Sequence, residues 1–178
     1  MKKDWICLLL SGVLLLSACG RAEPPAPPQS EEPLSVESPE PVSEVCDLYL
    51  QVLADLWEVD SGLNGGITYL GLDLSSVTDL AEADREHIAR EFGAVHGLEV
   101  IQGSYEDLRG QGHLEPYAEG TELCWWEDGV LFVIAGSAEK FDAHKWRSPL
   151  GAYFFADCSA ERSGEGRWSY EIGSEMIS

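Results

Sequence analysis

The chain has 178 residues, with 32 Asp and Glu against 11 Lys and Arg and a formal net charge of −21. So large an excess of acid excludes nucleic acid as an ordinary partner, because phosphate contacts need clustered Lys and Arg. It also sets the protein against an anionic membrane surface, which repels it. Acid on this scale keeps a chain soluble and apart from its neighbours.

The first residues read as an address. Lys2 and Lys3 make a basic start, Ile6 to Leu16 an apolar run, and Ser17-Ala18 a pair of small residues before Cys19. The apolar run is too short for a membrane span, which takes about twenty residues. Leu16-Ser17-Ala18-Cys19 resembles the lipobox of bacterial lipoproteins. That resemblance implies a signal peptide over residues 1–18 and cleavage before Cys19. The Cys19 thiol would then carry a diacylglyceryl group through a thioether. Two acyl chains, palmitate among the candidates, anchor stably where one does not. The expected location is therefore the cell membrane, lipid-anchored and facing outside the cytoplasm.

Residues 19–42 form the expected tether. Seven of the nine prolines lie there, among Glu, Ser and Ala and with few large apolar side chains. Such a segment buries too little surface to offset its chain entropy. In an extended polyproline II form it reaches roughly 60–70 Å. Without residues 1–18 the chain keeps 9 basic and 31 acidic residues, and Cys46, Cys124 and Cys158 remain besides Cys19. Three cysteines are not a disulfide framework. Cys46 reads as a small buried hydrophobe, and any bridge would pair Cys124 with Cys158, both in expected strands. No Cys-x-x-Cys and no suitably spaced histidine suggests a zinc site.

Residues 43–178 read as a single globular domain of the α+β class, with helices first and an antiparallel β-meander of four to five strands after them. Ser43 is placed as the N-cap of a first helix reaching Val59, with Glu44 and Asp47 in its first turn. Val45, Leu48, Val52, Leu56 and Val59 give the apolar stripe, widened by Tyr49, Leu53 and Trp57. Asp60-Ser61-Gly62 and Asn64-Gly65-Gly66 end it. Ile67 to Leu74 is either a strand or an irregular packed segment. A second helix is expected over Asp79 to His96, with Ile88, Phe92 and Val95 inward and Gly97 as a left-handed cap. Leu98 to Ile101 reads as a link, and Ser104 to Asp107 as the capping box of a short third helix ending at Gly110 or Gly112. Leu123 to Trp126 and Val130 to Ile134 then predict a hairpin around Asp128-Gly129. Phe141 to Ser148, Gly151 to Ala160 and Arg167 to Ile172 predict three further strands, the last pair turning at Ser163 to Gly166.

Few constellations carry chemistry. His87 and Glu91 share a helix face, but His96 lies away from it and the order is not His-Glu-x-x-His. Asp60 to Gly65 begins loosely like a calcium loop, yet Gly71 stands where the twelfth-position glutamate belongs. No nucleophile elbow is present. No metal, cofactor or catalytic residue is assigned. The segment out of keeping with its surroundings is Lys140 to Tyr153, where Lys145, Trp146 and Arg147 adjoin in an acidic domain, with Trp126 and Tyr153 as aromatic neighbours. Lys145 and Arg147 share one strand face and Trp146 the other. Basic groups beside aromatics hold a small anionic ligand, a glycan or a protein partner. Lys145, Arg147, Trp146, Trp126 and Tyr153 are accordingly the candidate ligand-binding residues. The expected function is a non-enzymatic, lipid-anchored surface module that binds a ligand or partner. The alternative is a cell-envelope hydrolase whose acid and base come from paired carboxylates, which needs a cleft holding a carboxyl with a raised pKa.

Overall fold

A stripe of Leu48, Tyr49, Val52, Leu53 and Leu56 recurring at helical spacing drives the first element, α1 (Val45–Glu58), into the core, where these side chains are fully buried. The computed structural model describes residues 41–178. The expected signal peptide, Cys19 and all but the last two residues of the tether lie outside the described residues. Among the described residues no helix is long and apolar enough to cross a membrane.

After α1 come β1 (Tyr69–Asp73), α2 (Glu82–His96), β2 (Glu99–Gln102), α3 (Tyr105–Gln111), β3 (Glu115–Pro116) and β4 (Cys124–Trp125). They are followed by β5 (Gly129–Ser137), β6 (Lys140–Ser148), β7 (Gly151–Arg162), β8 (Trp168–Glu171) and β9 (Ser174–Ile177). Among the described residues the class is α+β, with three α-helices and a mostly antiparallel seven-stranded sheet. Its order is β2-β1-β5-β6-β7-β8, and β9 pairs with the first half of β7.

The meander β5-β6-β7-β8 is antiparallel as the alternation predicts. The helices do not simply precede it. β1 and β2 alternate with them and join the sheet in parallel, β1 lying between β2 and β5. Leu98 to Ile101, expected as a link, supplies most of β2. The predicted hairpin around Asp128-Gly129 is not formed. β4 pairs with β3 in a separate two-stranded sheet, and the Asp128 carbonyl accepts from Thr68 and Tyr69 N–H at 2.7 and 3.1 Å. The Asp-Gly step therefore delivers the chain to the side of β1.

Helix ends differ in instructive ways. Glu44, not Ser43, is the α1 N-cap; the Ser43 N–H donates to Asp84 Oδ1 at 2.8 Å and its hydroxyl lies 3.7 Å from Cys46 Sγ. α2 starts three residues later than predicted. Asp79 is taken up instead by the Tyr49 hydroxyl at 2.7 Å and Ala138 N–H at 2.9 Å, stapling α1 to the β5–β6 turn. Val95, placed inward by its spacing, is 77% exposed, and Ile88, Ala89 and Phe92 form the buried face. The Ser104–Asp107 capping box of α3 forms as expected, with N–H bonds of 2.9 and 3.2 Å.

α1 and α2 pack on one face of the sheet, closing a core around Leu70, Leu72, Phe132, Ile134, Phe141 and Phe155. A smaller cluster lies on the opposite face, where α3 and the β4 segment set Leu108, Leu114, Cys124 and Trp126 over Leu131. Cys158 belongs to the first core and Cys124 to the second. With the sheet between them they form no bridge, and Cys46, Cys124 and Cys158 are all free and buried.

Candidate binding face

The basic residues singled out in the sequence are drawn inward. Lys145 sits on the helix-facing side of β6 and is 0% exposed. Its ammonium donates to the Trp57 carbonyl at 3.3 Å and to Asn64 Oδ1 at 3.2 Å, while Asn64 Nδ2 reaches the same carbonyl at 2.7 Å. Lys145 thus satisfies an end of α1 that has no basic residue in its last turn. Burial pushes the Lys145 ammonium down to about 8, against the opposing pull of Asp60 and Glu58. The Asp60–Gly65 segment that loosely resembles a calcium loop is this helix terminus.

Arg147 is spread over backbone. Its guanidinium donates to the carbonyls of Trp126 at 3.2 Å, Leu63 at 2.9 Å and Gly65 at 2.8 Å, and also to that of Glu127. Five donors in a fixed fork suit such a clamp. Tyr153, opposite Lys145 in register, donates its hydroxyl to Glu175 at 2.5 Å. Trp126 is 0% exposed and lies in the smaller cluster. Trp146 turns to the other side of the sheet, edge-on to Tyr105 at 5.0 Å between centroids. The five residues therefore do not meet in one pocket. Lys145 and Arg147 spend most of their donors within the fold, and Trp146 lines an open depression.

That depression belongs to a larger feature. α3 and Trp126 cover only part of their face of the sheet. Beyond them the register aligns Asp73 of β1 with Val133 of β5, Val133 with His144 of β6, His144 with Phe154 of β7, and Phe154 with Met176 of β9. These five side chains make a straight row across five adjacent strands, about 19 Å long at the usual strand spacing. Met176 is 52% exposed, while Val133, His144 and Phe154 are half-buried. Two shallow depressions of about 430 and 350 Å³ adjoin along the row and share Val133, His144 and Phe154. Trp146, Leu131 and Tyr105 extend the first.

Carboxylates stand around this apolar floor: Asp73 and Glu106 beside one depression, Asp142 beside the other. No Lys or Arg lines either depression. Lys140, two residues before Asp142, is held by Asp157 at 2.9 Å, and Arg109 lies 4.0 Å from Glu106. Burial lowers the His144 pKa below its ordinary value although Asp73 and Asp142 pull it upward, so the ring is neutral at pH 7. The face is apolar at its centre and negative at its edges.

The thiols and carboxylates whose pKa the fold shifts do not line it. Burial pushes the Cys46 and Cys158 thiols up to about 11, away from the nucleophilic thiolate. Burial alone would raise Asp84, but bonds from Ser43 and Ala81 N–H outweigh it and lower its pKa. Asp107 and Asp157 are lowered by Ser104 and Lys140. Among the described residues no three His, Cys, Asp or Glu side chains are grouped to hold a metal ion. His96, weighed as a ligand, stacks on Trp57 at 3.8 Å.

The uncovered row is not legible in the sequence because each strand supplies only one of its members. No protein-family model matches the chain, and no curated protein or solved structure matches it either.

Proposed function

We propose that this protein is a lipid-anchored module, held outside the cytoplasm through Cys19, that binds a partner through the uncovered side of its sheet. The observation that carries the reading is the row Asp73–Val133–His144–Phe154–Met176. Four of its members present an unbroken apolar and aromatic strip on a soluble, strongly acidic domain, where such surface marks contact sites. The lipobox-like Leu16-Ser17-Ala18-Cys19 and the proline-rich tether support the anchoring half, since together they would hold such a face clear of the membrane. The carboxylates shifted by the fold are shifted toward the charged form, which favours binding over the acid–base hydrolase. The anionic ligand expected at Lys145 and Arg147 loses its support, because both cations already serve backbone and Asn64 acceptors.

The test is carbene footprinting with a membrane-impermeant reagent, on intact cells and on purified full-length chain. Val133, Phe154 and Met176 should label in the purified chain and be protected several-fold on cells. Cys19→Ser should release the protein from the membrane fraction. Equal labelling in both settings removes the contact surface, and membrane retention of the Cys19→Ser chain removes the anchor.

A further inference from the structure

We propose that the row from Asp73 to Met176 seats an extended, positively charged segment of a partner protein, apolar side chains against the sheet and Lys or Arg at its edges. The inference rests on the reading of this face as a contact surface and names the chemistry of what it contacts.

Charge complementarity carries it. Both depressions have an apolar floor, and the ionised groups lining them are Asp73, Glu106 and Asp142. A cation arriving there meets fixed carboxylates and no lining Lys or Arg. The whole chain at −21 adds long-range attraction for a basic partner. A second copy of the chain would bring the same three acids and the same net charge to the interface, and an anionic lipid surface would be repelled as well. Both are disfavoured on sign.

Dimensions select a segment over a small molecule. A compact organic cation would fill one depression of about 430 Å³ and leave the other bare. The row of about 19 Å matches some six residues of extended chain at roughly 3.3 Å each. In an extended segment alternate side chains point one way, so about three apolar side chains, roughly 6.6 Å apart, would lie along the strip of Val133, His144, Phe154 and Met176. Residues between them would point away and carry the positive charge over the rim.

The experiment must separate this seat from the attraction any acidic protein has for any basic peptide. The full chain in detergent is titrated calorimetrically with three decapeptides: alternating Lys-Leu, alternating Lys-Ser, and alternating Glu-Leu. The Lys-Leu peptide is expected to bind at least tenfold more tightly than Lys-Ser, and Phe154→Ser should remove that difference. Asp73→Asn combined with Asp142→Asn should weaken Lys-Leu binding with the melting temperature nearly unchanged. Equal affinity for the two Lys peptides, or indifference to Phe154→Ser, overturns the seat. If Glu-Leu binds as well as Lys-Leu and both lose affinity in Phe154→Ser, the face binds partners but the cationic occupant is overturned.

Discussion

His144 lies directly opposite Phe154 across the β6–β7 pair, with ring centroids 5.1 Å apart and planes tilted by 31°. The phenyl ring shields one side of the imidazole from water, and Val133 flanks it on the other strand. Shielding disfavours the charged ring, so its pKa falls below the ordinary 6.5 despite Asp73 and Asp142. Between the lowered value and 6.5 the unfolded chain binds the proton and the folded chain does not. Stability from this group is therefore complete above pH 6.5 and is lost as pH falls through the folded pKa. Proton NMR of the ring, assigned with His144→Gln, should show titration below 6.5, moving upward in Phe154→Ser as water reaches the ring. Titration at 6.5 or above in the unaltered chain would mean that shielding does not outweigh the pull of Asp73 and Asp142.

Trp126 rests on two glycines. A Cβ at Gly129 would stand 2.1 Å from the indole, and one at Gly71 2.6 Å from it and 3.0 Å from Leu131. The indole N–H donates to Asp128 at 3.1 Å, and the ring is 0% exposed. Gly71→Ala should destabilise by about 1–3 kcal/mol through overpacking. Trp126→Leu in the same chain should recover part of the loss, because the two changes share one contact. Chemical denaturation of the two single variants and the pair measures the coupling. Additive losses would separate Trp126 from Gly71.

The same glycine explains why β1 was hard to read. In the sequence Gly71 breaks an apolar run and blurs the choice between strand and irregular segment. In the structure it is the place where a tryptophan from far along the chain lies on the sheet. α1, the α3 capping box and the strands β5 to β8 were legible because each is written in local periodicity and local end signals. The parallel pairing of β1 with β2 and β5 depends on long-range partners that no window contains. Asp128-Gly129 carries the turn residues of a hairpin, but Trp126 turns inward and β4 pairs elsewhere. At the candidate site the alternation of Lys145, Trp146 and Arg147 was right, and the inward face was not legible. A lysine points to solvent by default, and only the free acceptors at the end of α1 reverse that.

Arg147 should behave as a structural clamp. It ties the loop after α1, through Leu63 and Gly65, to the residues entering β5, through Trp126 and Glu127. Arg147→Lys keeps the charge and loses the fork, so at most part of this set survives. A loss of about 1–3 kcal/mol is expected from carbonyls left without their partner. Amide hydrogen exchange should rise in the segments around Leu63 and Glu127 together, since one side chain holds both. Exchange unchanged in both segments would show that the clamp contributes little.

Lys145 gives the sharpest pH signature. Its folded pKa of about 8 lies below the ordinary 10.5, so between those values the unfolded chain binds the proton and the folded chain has released it. The Lys145 contribution to stability therefore rises with pH across that window. Other groups run the opposite way. The Cys46 and Cys158 thiols, ordinarily near 9.0, are raised to about 11, and the Tyr49 and Tyr170 hydroxyls are raised above their ordinary 10.0 by burial and by Asp79 and Asp55. These four favour the unfolded chain as it ionises at alkaline pH. Total stability is thus a poor readout, and the difference between the chain and Lys145→Met cancels terms common to both. That difference should move in favour of lysine by on the order of 1–3 kcal/mol between pH 7 and pH 10. Urea denaturation of both proteins at pH 7, 8, 9 and 10 measures it. A flat difference would mean that the ammonium keeps its hydration, which is incompatible with a side chain closed between Trp57 and Asn64.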